Sequence, residues 1–66
     1  MDDETLNLSI RKFLKMVGVN SQREIEQAVV KAVAAGSSPD AFAATMTLEI
    51  PALQFKVSFD GEIKLR

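Results

Sequence analysis

The sequence predicts an α+β fold in which two N-terminal helices pack on one face of a three-stranded antiparallel β-meander, in the order ααβββ. Apolar residues recur at helical spacing up to residue 35, and from residue 45 they alternate with polar residues. Gly18 interrupts the helical part. Periods of 3.6 and 2 residues are typical of amphipathic helices and of strands with one buried face. We therefore expect one small domain that spans residues 1–66.

The first predicted helix covers about residues 4–17. Its apolar stripe consists of Leu6, Ile10, Phe13, Leu14 and Val17. Acidic residues at positions 2–4 suit the positive end of the helix dipole. Gly18 follows the stripe and can adopt the left-handed conformation that ends many helices, with Val19 packing back on Leu14. The helix is therefore expected to end at Gly18.

The second predicted helix covers about residues 22–35. Its apolar stripe consists of Ile25, Ala28, Val29, Ala32 and Val33. Ser21 and Glu24 have the spacing of a capping box, in which each side chain accepts a hydrogen bond from the other residue's backbone amide. Asn20 is an alternative cap. Gly36 follows the last apolar residue and is expected to end this helix.

A linker and three strands complete the predicted fold. Residues 37–44 are rich in turn-forming residues, and Phe42 within them is expected to fold back onto the core. The strands are predicted at about 45–50, 53–58 and 62–66. One sheet face should then be apolar and covered by the helices. The solvated face should carry Thr47, Glu49, Lys56, Lys64 and Arg66.

The strand register follows from the requirement that apolar residues share a face. A two-residue loop at Asp60-Gly61 would place apolar residues opposite charged ones, which a one-sided sheet does not tolerate. A three-residue loop of residues 59–61, with Gly61 in the left-handed position, keeps the faces consistent. The expected cross-strand pairs are Val57 with Ile63, Phe55 with Leu65, Ile50 with Leu53, and Leu48 with Phe55.

Composition excludes several classes of function. The chain has no cysteine, histidine or tyrosine, so disulfides, zinc–thiolate sites and Ser-His or Cys-His nucleophiles are absent. The net charge is −1, and basic and acidic residues are mixed along the chain. No signal peptide or transmembrane segment is evident. We therefore expect a cytoplasmic protein without a membrane partner.

Two segments resemble a known family. They are LNLSIRKFLKMVGVNSQREIEQAVVKA and TMTLEIPALQFKVSFDGEIKL, and the similarity is most specific in GVNSQREIE and FDGEIKL. They are similar to short bacterial proteins that form a domain of unknown function, of the kind solved by structural-genomics efforts. The resemblance covers most of the chain apart from the linker near residues 37–44. It implies a free-standing bacterial domain, and it implies no activity and no functional residues.

Few side chains are candidates for chemistry. Asp60 and Glu62, with Glu49 on the sheet, are a conceivable carboxylate group, but turn and solvated-strand roles explain them better. The backbone amides of residues 21–23 could hold an anion, although a capping box would already use them. No glycine-rich phosphate loop or cation-binding spacing is present. We therefore predict a protein that is not an enzyme, without catalytic, cofactor-binding or metal-binding residues.

The segment MVGVNSQREIEQAV, residues 16–29, is punctuated like a helix-turn-helix motif. Such motifs usually have a small residue where this chain has Leu14, and apolar residues where it has Glu24 and Gln27. The second helix is also balanced in charge, whereas DNA binding depends on neutralised phosphates. We therefore predict a corner between two helices that does not read DNA. Nucleic-acid binding through this corner is the alternative function.

The candidate interaction surface lies outside the predicted stripes. Leu8 falls on the opposite side of the first helix, among three basic residues, and Val30 is the second exposed apolar residue. We therefore predict a protein-interaction module, as a monomer or weak homodimer, whose protein partner the sequence does not identify. The predicted surface consists of Leu8, Arg11, Lys12, Lys15 and Val30.

Overall fold

The computed structural model describes all 66 residues and consists of one long helix followed by one β-hairpin. Helix α1 spans Asp3–Ala34, strand β1 spans Ala41–Ile50, and strand β2 spans Phe55–Lys64. A short 3₁₀ turn, Pro51–Leu53, connects the strands, which form a two-stranded antiparallel sheet. The predicted ααβββ order is therefore wrong, because the two predicted helices are one and the three predicted strands are two.

Helix α1 has well-defined ends. Asp2 is the N-cap, and its carboxylate accepts hydrogen bonds from the backbone amides of Glu4 and Thr5. At the other end Gly36 has a φ of 98°. Its amide donates to the Val33 carbonyl at 3.0 Å, and the Ser37 amide donates to the Ala32 carbonyl at 2.9 Å. These two bonds form a Schellman motif, so Gly36 ends the helix as predicted.

Gly18 does not end a helix, and the predicted break between residues 17 and 22 is wrong. Positive φ angles occur only at Gly36 and Gln54, so Gly18 has an ordinary helical backbone. A glycine inside a helix costs only about 1 kcal/mol relative to alanine. The two predicted stripes also overlap on one side of a single continuous helix, so the apolar pattern does not require a break at this point. Ser21 accordingly lies half-buried within α1 and not at a helix start.

The hairpin has one turn, at Pro51–Leu53. Pro51 occupies the first position of the 3₁₀ turn, where its missing amide donor is not needed. Gln54 then adopts a left-handed conformation with a φ of 51°, and its amide donates to the Pro51 carbonyl at 3.0 Å. The predicted linker is partly wrong, because residues 41–44 belong to β1. Phe42 is accordingly half-buried in a strand and is not a plug from a loop.

The predicted loop at residues 59–61 is also wrong. Asp60 and Gly61 lie within β2, opposite Thr45 and Ala44. The predicted cross-strand pairs are therefore replaced, and none of the four occurs. Phe59 and Ile63 are four positions apart. Side chains alternate along a strand, so a straight strand already places both on one face. The apolar pairs in the structure are Phe42 with Ile63, Met46 with Phe59, Leu48 with Val57, and Ile50 with Phe55.

No hydrophobic core exists within one chain. None of the 66 residues is buried, and the predicted covering of the sheet by two helices is absent. The molecule measures 51 × 21 × 18 Å, and its radius of gyration is 15.8 Å. A compact domain of this length would have a radius of gyration of about 11 Å. The helix, about 48 Å long at 1.5 Å per residue, sets the longest dimension.

Candidate interaction surface

The apolar residues of α1 form one continuous row that we call the helix stripe. At 100° per residue its members fall within an arc of about 120°, so they share one side of the helix. Ser21 is the one polar residue among them. Leu14, Glu24 and Lys31 also fall within this arc, and Val29 lies beside it. The helix stripe consists of Leu6, Ile10, Phe13, Val17, Ser21, Ile25, Ala28 and Ala32.

The two halves of the helix stripe differ in exposure. Val17, Ser21 and Ala32 are half-buried, so the helix stripe is less exposed from residue 17 onward. Every residue from 1 to 16 is exposed, and Phe13 keeps 47% of its surface accessible. The N-terminal half of the helix stripe therefore presents large apolar side chains that nothing in this chain covers.

The hairpin has an apolar side that we call the hairpin face. Side chains alternate across a sheet, and the register brings the apolar residues of both strands to one side. The hairpin face consists of Phe42, Ala44, Met46, Leu48, Ile50, Phe55, Val57, Phe59 and Ile63. Most members near the open end of the hairpin are half-buried, whereas Met46 and Phe59 are exposed, the latter at 59%. The hairpin face is therefore only partly covered.

The opposite side of the sheet is polar and forms its own contacts. Thr45 donates a hydrogen bond from its hydroxyl to Asp60 at 3.1 Å, and the hydroxyls of Thr47 and Ser58 lie 3.0 Å apart. Glu49 lies opposite Lys56. All of these residues are exposed. This side of the hairpin is therefore suited to water, as predicted for the solvated face.

The C-terminal end of the chain is hydrogen-bonded to the segment before β1. Arg66 lies beyond β2, where its guanidinium donates to the Ser38 hydroxyl at 2.8 Å and to the Asp40 carboxylate at 3.3 Å. The Leu65 amide donates to the Asp40 carbonyl at 2.8 Å. These contacts close the open end of the hairpin next to the end of α1.

An open hollow separates the middle of α1 from the hairpin. Its volume is about 710 Å³. Ser21 and Ile25 line it from the helix, and Met46, Phe59 and Ile63 line it from the hairpin. This hollow shows where the two elements face each other without filling the space between them.

The predicted interaction surface is exposed but divided. Leu8, Arg11, Lys12 and Lys15 lie together in the N-terminal half of α1, and Leu8 and Lys12 line a shallow groove. Val30 is 22 positions after Leu8, which corresponds to about 33 Å along the helix. One chain therefore does not bring Val30 to the other four residues, and their role as a binding surface stays a prediction.

The carboxylates considered as chemical candidates do not converge. Asp60 and Glu62 are on the polar side of β2, and Glu49 is near the turn on β1. No group of three or more acidic residues is placed to hold a metal ion. The amides of residues 21–23 lie inside α1 and not at a helix start, so the capping box predicted there is wrong and the alternative of an anion site has no structural basis.

The helix corner proposed for residues 16–29 does not exist. The whole segment lies inside α1, so it has neither the turn nor the second helix of a helix-turn-helix. The alternative of nucleic-acid binding through this corner therefore loses its structural basis. Sequence analysis missed the larger surface, since it assigned the helix stripe and the hairpin face to a core; the uninterrupted helical spacing was the signal that could have revealed it.

Comparisons with known proteins give a family and no activity. The structure contains no helix that combines the length and the apolar character needed to cross a bilayer. No curated protein and no solved structure matches the chain. One family model, described as a family of unknown function (DUF6494), matches residues 1–66. The resemblance to a short domain family of unknown function is thereby confirmed, and the chain belongs to the DUF6494 family.

Proposed function

We propose that this protein is a non-enzymatic protein-interaction module, and that its binding surface is the helix stripe together with the hairpin face. The observation that supports this function is the absence of any buried residue in a chain that is 47% apolar. Contiguous exposed apolar surface of this extent is typical of interaction sites on soluble proteins. Covering it with another protein would supply the core that the chain lacks.

The chemistry of the surface favours protein over nucleic acid as the ligand. Its members are aliphatic and aromatic side chains, which protein interfaces bury at their centres. Nucleic-acid binding would need a concentration of basic residues along the groove that meets the phosphates. The hollow between α1 and the hairpin is bordered instead by Glu24, Asp60 and Glu62.

Site-specific photo-crosslinking tests this proposal. A photoreactive phenylalanine analogue replaces Phe13 or Phe59 in the chain expressed in its native host, and a matched control places it at Lys56 on the polar side of the sheet. We expect protein adducts from the first two positions and few from the third. Equal yields from all three positions, or none from Phe13 and Phe59, would contradict the proposal. Salt-sensitive binding of mixed-sequence duplex at micromolar concentration would favour nucleic acid instead.

A further inference from the structure

We infer that the protein covering this surface is a second copy of the same chain, in an antiparallel two-fold dimer. In this arrangement the N-terminal half of α1 in each copy lies along the C-terminal half of α1 and the uncovered part of the hairpin face of the other. The inference rests on the proposed function, because it names the occupant of the same surface. Two observations support it: the exposed area and the symmetry of the helix stripe.

The exposed area of one chain is too large for a folded monomer. The chain has a mass of 7.2 kDa and exposes 5916 Å². A folded monomer of that mass exposes about 4,100 Å². The excess is about 1,800 Å², by the same relation. A single chain is therefore extended where a stable domain of its size is compact.

Two chains together reach the area expected of an obligate dimer. A single globule of twice the mass exposes about 6,800 Å². Joining two chains that each expose 5916 Å² into such a globule removes about 5,000 Å² in total. Interfaces of permanent dimers bury about 2,000–5,000 Å² and resemble a core divided between two subunits. One additional copy is thus sufficient to complete the fold.

The helix stripe is symmetric about Val19. In an antiparallel pair of helices centred there, each position lies level with the one equally far on the other side of residue 19. The eight stripe positions map onto one another under this operation, and in three of the four pairs a larger side chain meets an alanine or a serine. The pairs are Leu6 with the partner's Ala32, Ile10 with the partner's Ala28, Phe13 with the partner's Ile25, and Val17 with the partner's Ser21.

Large-to-small matching of this kind lets two helices approach closely without leaving voids. A parallel pair would instead place Phe13 against its own copy and Ala28 against its own copy, with crowding in one half and gaps in the other. The order of side-chain sizes along the stripe therefore favours the antiparallel arrangement.

Leu8 and Val30 stay outside the contact between the two copies. Both lie on the side of α1 away from the helix stripe, at equal distances from Val19. In the dimer they therefore remain on its outer surfaces, and Leu8 provides a position for a control substitution that leaves the contact intact.

Distances between spin labels test the dimer and its orientation directly. The chain has no cysteine, so a single introduced cysteine carries a unique label. Labels at exposed positions Val19, Lys12, Glu26 and Glu4 report the distance between the two copies. At 1.5 Å rise per residue, the axial separation is about zero at Val19, about 21 Å at both Lys12 and Glu26, and about 45 Å at Glu4. A parallel dimer in register gives an axial separation near zero at all four positions and would overturn the inference.

The molecular mass of the chain in solution is the companion measurement. We expect twice 7.2 kDa by sedimentation equilibrium, and the monomer mass for Phe13→Asp. Leu8→Asp is the matched control on the outer side of the same half of α1 and should stay dimeric. A wild-type monomer that crosslinks a different protein through Phe13 would overturn the inference and leave the proposed function intact. A wild-type monomer without any crosslink would overturn both.

Discussion

At the scale of single residues, the ends of α1 show how side-chain chemistry positions the surface. Asp2 accepts from the Thr5 hydroxyl at 2.9 Å and from the Glu4 amide at 3.0 Å. Gly36 closes the other end in a left-handed conformation. Both residues are identifiable from sequence, since an acidic residue before a helix and a glycine after it are common helix signals. They fix where α1 begins and ends, and hence the length of the helix stripe.

The Asp2 cap makes helix stability depend on pH. The hydrogen bond from the Thr5 hydroxyl, followed by those from the backbone amides of Thr5 and Glu4, lowers the pKa of Asp2 below its ordinary value of 3.8. A lowered pKa means that the stabilisation is fully present above that ordinary value and is lost as pH falls through the lowered one. Acid titration followed by circular dichroism should therefore show a loss of helix below pH 3.8 that Asp2→Asn lacks.

Asp2→Ala is the matched variant that also removes the hydrogen-bond acceptor. It should lower the thermal midpoint at neutral pH, whereas Asp2→Asn should retain most of it because asparagine is also a good N-cap. Identical acid titrations of the wild type and Asp2→Asn would show that Asp2 is not the titrating cap.

Gly18 and Gly36 should respond in opposite directions to the same substitution. Gly18 lies inside α1, and a Cβ there meets nothing within 4 Å, so Gly18→Ala should raise the stability by about 0.5–1 kcal/mol. Gly36 has a φ of 98°, so Gly36→Ala should lower it by about 1 kcal/mol. Chemical denaturation at one protein concentration measures both. A destabilised Gly18→Ala with an unaffected Gly36→Ala would restore the predicted corner at Gly18.

At the scale of elements, the sequence predicts the helical and strand periods correctly, but it also predicts breaks at two glycines where the structure has none. The helical period and the period of two are both present in the structure, and the large apolar residues that lie in the strands do share one side. Gly18 and Gly61 predict breaks because glycine often ends helices and forms turns. Neither breaks its element, because the apolar residues on the two sides of Gly61 stay on one face of the strand and those on the two sides of Gly18 still overlap on one side of the helix.

The turn at Pro51–Leu53 has a weaker signal in the sequence than the two glycines have. Pro51 marks it, but Gln54 supplies the left-handed residue that glycine or asparagine usually provides. A glutamine in the sequence does not predict a left-handed conformation. Residues 41–44 are predicted as linker because they continue a segment rich in turn-forming residues. Their pairing with residues 61–64 decides their conformation.

The register of the hairpin is directly measurable. We expect cross-strand contacts between Hα protons in the register that places Leu48 opposite Val57 and Ile50 opposite Phe55. These pairs put every apolar residue on the hairpin face, so a shift by one residue would move them all to the polar side. Nuclear Overhauser spectra decide the question. Contacts that pair Val57 with Ile63 would require the loop at residues 59–61 and would contradict the two-stranded hairpin.

At the scale of the whole molecule, the sequence was sufficient to indicate the family but not the exposed apolar surface. Specific segments of the sequence were sufficient to indicate a short domain family of unknown function, and the family model confirms it over residues 1–66. The sequence did not reveal the surface, because an apolar row has the same pattern whether its own chain or another chain covers it. Only the exposure of Phe13 and Phe59 distinguishes the two cases.

The central claim is that this chain completes its core with a second copy of itself, and the dependence of thermal unfolding on protein concentration tests it most directly. When folding is coupled to association, the midpoint rises with the concentration of the chain. Circular dichroism melts over a hundredfold range of concentration should show a steady rise for the wild type and for Leu8→Asp. Phe13→Asp should melt at a lower temperature throughout. A wild-type midpoint that is the same at every concentration, in a sample with the 7.2 kDa mass of one chain, would contradict the claim.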